Sequence, residues 1–145
     1  MRSLLFRIIG VFEIAGGLFG LVALLHRVLG AGGLNAIVAV LGLLAFAFVL
    51  VAGVLLIAGD ALGERLSIWA QFLQTPLLAT PLVSYAFSSG AFANLFLTLQ
   101  SSPRLGFDWS IATHGWLLAF GGPSVSHIGV NLLALVSWLI LRFSR

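Results

Sequence analysis

The sequence predicts an all-α membrane protein of about four transmembrane helices, with room for a small β-hairpin in the outer connection between the third and fourth spans. Of its 145 residues, 61% are hydrophobic and 8% charged, against roughly a quarter charged in soluble domains. The mean hydropathy of +1.17 is spread over several apolar runs, which points to repeated crossing and not to a soluble domain with a single anchor. In hydrocarbon every backbone N–H and C=O needs an internal partner, and a continuous apolar run meets that need as a helix.

Residues 4–25 are apolar apart from Arg7 and Glu13, and at ~1.5 Å per residue they cross a hydrocarbon core of ~30 Å. Met1-Arg2-Ser3 resembles the start of a signal peptide, but the apolar run exceeds the ~7–15 residues of a signal core. A retained first span is the expectation. Gly30-Ala31-Gly32-Gly33 breaks it and allows a tight return. Residues 34–58 hold no charge and one strongly polar residue, Asn35, and form the clearest span; Gly59-Asp60 closes it.

From there Asp60, Glu64, Ser67, Gln71 and Gln74 recur at spacings of four and three, which places them on one stripe of an amphipathic helix. Pro76 and Pro81 then remove backbone donors and kink or end it. The third span falls within residues 66–99, in one of two registers. In the first, residues 60–75 lie at the cytoplasmic surface and residues 77–99 cross. In the second, a kinked helix starting near Leu62 crosses and leaves Phe92 onward outside. Alternation supports the second: Leu95, Leu97 and Leu99, then Leu105, Phe107, Trp109 and Ile111, keep the strand period of two around Ser101-Ser102-Pro103. Phe96 breaks the pattern in the first of these strands. Gly121-Gly122-Pro123-Ser124 ends the region, Ser124 or Ser126 offers an N-cap, and residues 125–141 form a last span near the lower length limit. No repeat or boundary divides the chain, so residues 1–145 read as one integral membrane domain.

The net charge of +3 and pI near 11.2 come from seven arginines placed singly at the ends of apolar runs. That pattern reads as membrane orientation, with no nucleic-acid partner. With a cytoplasmic N-terminus, Arg2, Arg7, Arg65, Arg142 and Arg145 fall inside and Arg27 and Arg104 outside, which places both termini on the cytoplasmic side of a plasma or inner membrane. There is no cysteine, which removes disulfides, thiol redox chemistry and thiolate metal sites.

Glu13 is the first candidate for function. It lies nine residues beyond Leu4, about 13 Å into the span at ~1.5 Å per residue, where a charge costs roughly 2.5–3.5 kcal/mol. Gly16 and Gly20 form a small-xxx-small pair on its face and invite a second helix. Asn131 lies at nearly the same depth, and so does Tyr85 in the first register or Gln71 in the second. An intramembrane polar cluster of Glu13, Asn131 and one of these two satisfies them all. Such a cluster serves either as a proton or ion relay or as a structural hydrogen bond that fixes helix register.

His26, His114 and His127 gather at the outer side. Three imidazoles, with Asp108 nearby, are a donor set for zinc or copper, but the spacing is nonlocal and matches no ligand motif, so no metal and no cofactor is assigned. Trp109 and Trp116 read as an outer aromatic belt and Trp69 and Trp138 as an inner one. No phosphate loop or nucleophile motif is present, and no enzymatic activity is expected. The function read from the sequence is an accessory or interaction subunit of a membrane assembly, whose partners are the lipid bilayer and other transmembrane helices, of itself or of another subunit. The alternative is a small homo-oligomeric transporter or channel with Glu13 as its relay.

Overall fold

The computed structural model describes residues 2–144, with backbone alone at Arg2 and residues 112–114. Its elements run α1 (Arg2–Gly30), α2 (Leu34–Ile57), α3 (Ala61–Gln74), β1 (Pro76–Ala79), β2 (Val83–Leu99), β3 (Arg104–Phe120), β4 (Ser126–Asn131) and α4 (Leu132–Phe143). The all-α expectation is overturned. Two helices, α1 and α2, are long and apolar enough to cross a membrane, and an antiparallel sheet occupies most of the stretch where a third and a fourth helical span were expected.

The first two helices form an antiparallel pair. Glycines let them touch: a Cβ on Gly17 would lie 2.9 Å from the Leu50 backbone, and one on Gly20 would overlap the Phe46 ring. Small residues at the contact are the usual device for close helix packing in lipid. Gly16 does something else. The sequence reading gave it to a neighbouring helix, but its Cα faces Ser89 and Gly90 of β2, where any Cβ would collide.

Asp60 caps α3, its side chain accepting from Leu62 N–H at 2.7 Å, which satisfies one orphan donor of the first turn. The helix ends ahead of Pro76, which has no N–H to continue it. Along the way Gly63 meets the α2 backbone at Leu55 and Leu56, Ser67 and Gln71 meet Glu13, and Gln74 meets Ser89. Ser89 in turn lies against Gly16, the central residue of α1. So α3, packed on α2 and α4, rises only to the level of the α1 midpoint, and β1 continues the ascent. The return is the mirror image: β4 descends, Asn131 N–H donates to Thr75 C=O at 2.8 Å, and α4 carries Leu141 down to Ile9 and Leu56. The residues 66–99 and 125–141 are thus helix and strand in series, and neither of the two expected registers for the third span describes them.

Three strand pairings set a topological condition. β1 pairs antiparallel with β2 and with β4, and β4 pairs antiparallel with β2. Three straight strands cannot all be mutually antiparallel, so β2 must reverse direction along its length. It does so at Gly90, whose φ of 87° is open to glycine at little steric cost, and where the β3 partner jumps from Thr113 to Ile111 as a bulge. With β2 and β3 each counted as two halves, the sheet becomes six alternating antiparallel segments. One continuous row crosses all of them: Ala119, Ser84, Ala79, His127, Thr98, Arg104. Both outermost segments belong to β3. The hairpin expected around Ser101-Ser102-Pro103 is present, but each arm is 17 residues long and its lower part packs on α1.

On α3 the distribution of side chains is inverted relative to a water-soluble helix. Ser67, Gln71 and Gln74 on α3 are buried, whereas Trp69 and Phe72 on the same helix are 61% and 51% exposed. Because side chains alternate across a strand, cross-strand partners sort the sheet into two faces. One carries Phe87, Ala91, Leu95, Leu97, Leu105, Phe107, Trp109, Ile128 and Val130; the other carries Ser84, Asn94, Thr98, Arg104, Asp108, His127 and Asn131. The first face packs on the helices through Phe87, which meets Phe46 edge-on at 5.1 Å, and then runs out from under them to leave Leu105, Phe107 and Trp109 exposed.

Candidate functional site

Glu13 stands at the junction of α1, α2 and α3. It is 1% exposed, its Cβ lies opposite Gly53 of α2, and both carboxyl oxygens are occupied: Ser67 Oγ donates to Oε2 at 2.7 Å and Gln71 Nε2 donates to Oε1 at 2.8 Å. The i, i+4 spacing of Ser67 and Gln71 puts both donors on the face that α3 turns toward α1. One turn further on, Gln74 Oε1 accepts the Ser89 N–H at 2.8 Å, and its Nε2 donates to Ala70 C=O at 3.2 Å. A ladder of polar side chains therefore sews α3 to α1 below and to β2 above.

Of the cluster expected around Glu13, the structure joins Gln71 to it and places the other two elsewhere. Asn131 is the N-cap of α4, with Oδ1 accepting from Ala134 N–H at 3.3 Å and from Ala93 N–H at 3.2 Å. Tyr85 donates its hydroxyl to Leu73 C=O at 2.6 Å, tying β2 to a carbonyl of the last turn of α3. Sequence reasoning singled out neither Ser67 nor Gln74 as a partner, although both stand on the polar stripe it recognised. Ser89 gave no signal at all.

On the polar face of the sheet, Asp108, Asn94 and Asn131 are successive cross-strand partners. Two of their buried atoms, Asn94 Oδ1 and Asn131 Nδ2, have no hydrogen-bond partner. Two rows higher, Thr98 Oγ1 and His127 Nδ1 share a hydrogen bond of 3.0 Å, and the His127 ring meets Phe96 at 6.2 Å. His26 lies beside Arg27 and Asn35 in a surface depression near the end of α1. The His114 side chain lies outside the described residues. Among the described residues no three of His, Cys, Asp and Glu come together as a metal site. Trp116 is an anchor within the protein: its Nε1–H donates to Val38 C=O at 2.9 Å and its ring packs edge-on against Phe87.

The arrangement holds elements together. Among the described residues it gathers one carboxyl group with two neutral donors, and both Glu13 oxygens are filled from within the protein. No protein-family model matches the chain, and neither curated proteins nor solved structures give a match.

Proposed function

We propose that this chain is an integral membrane subunit that assembles with itself or with another membrane protein through the free edge of β3. The observation that carries the reading is that edge. Among the described residues β1, β4 and β2 are each paired on both sides, while β3 is paired only with β2. Along its outer half, residues 104–111, about four N–H and four C=O groups point away from β2, since alternate residues of an antiparallel strand face outward. Water would satisfy them, but the same strand exposes Leu105, Phe107, Trp109 and Ile111 at 59–71%, which water disfavours. Lipid would accept the side chains and leave the backbone unpaired at several kcal/mol per group. A partner strand or a covering helix meets both needs.

A bilayer setting draws support from the two long apolar helices and from the inverted exposure of α3, whose apolar face points outward and whose polar face points in. Beyond the helices, the sheet leaves Leu105, Phe107 and Trp109 exposed on its apolar face, as a lipid-facing strand would. Arg7, Arg65 and Arg142 lie toward one end of the helices and Arg27 toward the other, so the arginine balance favours both termini inside. Glu13 fits this reading as a packing group, because a relay needs a route and a second site, and its oxygens are both held by side chains of α3.

The test is a photo-crosslinking residue placed at Phe107 in native membranes, with Val22 on the exposed face of α1 as control. The expected result is a discrete protein adduct from position 107 that position 22 does not give. Lipid adducts alone at both positions would overturn the assembly reading.

A further inference from the structure

Between the first half of α1, α4 and the bend of β2 lies a crevice of about 370 Å³, within the ~300–1,000 Å³ range of small-molecule sites. Its walls are apolar apart from Ser137 on α4, with Ile9 and Phe12 on α1, Val136 on α4 and Ala93 on β2, and its lining includes Gln71 and Ser89. Ser89 is 5% exposed and its Oγ has no hydrogen-bond partner. A buried hydroxyl left alone is costly, and the neighbouring groups are already engaged: Gln74 Oε1 holds the Ser89 N–H and Glu13 holds Gln71 Nε2.

The height of Ser89 narrows the class of ligand. It lies against Gly16, fourteen residues from either end of α1, which is roughly 21 Å at ~1.5 Å per residue. A phospholipid keeps its polar groups at the surface and brings only hydrocarbon to this depth. From Ser89 the crevice runs down past Phe12, Ile9 and Leu5, a helical rise of about 10 Å. Its shape and chemistry fit an elongated apolar body with one oxygen at the buried end.

We propose that this crevice binds an uncharged lipophile bearing a carbonyl or hydroxyl oxygen, which accepts a hydrogen bond from Ser89 Oγ–H, while the apolar body lies between α1 and α4. The inference rests on the bilayer setting proposed above and is independent of the β3 interface.

The probe is a decyl-substituted benzoquinone carrying a photoreactive azide, applied to the detergent-purified chain. Saturable labelling that maps to α1 and α4 is expected. Competition should come from long-chain alcohols and ketones, about 3- to 10-fold more weakly from decylbenzene, which lacks the oxygen, and not from phosphatidylcholine, whose polar groups stay at the surface. Ser89→Ala should weaken binding about 3- to 10-fold, the equivalent of one hydrogen bond of ~0.5–1.5 kcal/mol. Ala93→Phe fills the crevice and should abolish labelling; Val136→Phe does the same from the opposite wall should the first variant fail to fold. Unsaturable labelling, labelling unchanged in Ser89→Ala and either filled variant, or equal competition by phosphatidylcholine would overturn the proposal. Those outcomes in a chain that still inserts into vesicles would leave the membrane-subunit reading standing, whereas failure to insert would remove both.

Discussion

Replacing Glu13 separates a packing group from a titrating one. In Glu13→Gln one carboxyl oxygen becomes an amide that donates to Ser67 Oγ, while the remaining oxygen still accepts from Gln71 Nε2, so both contacts of 2.7 and 2.8 Å survive. In Glu13→Leu neither does, and Ser67 and Gln71 are left unpaired within the protein. Interhelical hydrogen bonds in membranes average ~0.6 kcal/mol and reach ~1.7, so losing two removes roughly 1–3 kcal/mol. The branched Leu Cγ also crowds Gly53, which sits 2.8 Å from the Glu13 Cβ when given a Cβ of its own. Reversible unfolding in mixed micelles, followed by tryptophan fluorescence, should put Gln within ~1 kcal/mol of the native chain and Leu well below it. A Gln variant as damaged as Leu would mean that the charge, and not the pair of hydrogen bonds, is what the protein uses. A Leu variant as stable as the native chain would refute the sewing of α3 to α1.

Three further outcomes are expected. Gly90→Ala combines a left-handed φ of 87° with a collision against Phe12 C=O and should destabilise by about 2–4 kcal/mol, read in the same unfolding assay. Trp116→Phe keeps the ring packing on Phe87 and gives up the bond to Val38 C=O, so it should cost about 1 kcal/mol; an unchanged midpoint would show that the indole N–H finds water instead. Compartment-specific reporters fused to the two ends should both report the cytoplasm, and signals from opposite sides would exclude four crossings of the bilayer.

Some of this was legible in the residues and some was not, for identifiable reasons. α1 and α2 were plain because a long apolar run, broken within residues 4–25 of α1 only by Arg7 and Glu13, has one cheap solution in an apolar medium. The polar stripe of α3 announced a helix but not its direction: a period of 3.6 defines two faces, and only the surrounding medium decides which turns inward. The outer arms of the hairpin showed through the alternation at Leu95–Leu97 and Leu105–Ile111. The lower arm, with Ser84, Ala86, Ser88 and Gly90 against Tyr85, Phe87, Ser89 and Ala91, mixes small and polar residues on both sides of the strand, and its composition does not distinguish a strand from a membrane helix. Asn131 sits where α4 begins rather than midway along a helix, because β4 uses residues 126–131 to pair with β1 and β2. What took it away from Glu13 is the level of α4, whose Leu141 meets Ile9 and Leu56.

The splicing of helix to strand halfway through each of the later passes bears on how the chain is made. α3 has 14 residues and α4 has 12, each short of the ~20 a helix needs to cross alone, and β1 and β4 gain hydrogen-bond partners only once the distant β2 has arrived. If the chain is membrane-embedded as proposed, residues from Ala61 onward do not suit entry into the bilayer one segment at a time. In the bilayer setting proposed above, the α1–α2 hairpin should insert first and serve as the wall against which the rest assembles, so a nascent chain halted near residue 100 should stay accessible to protease beyond α2.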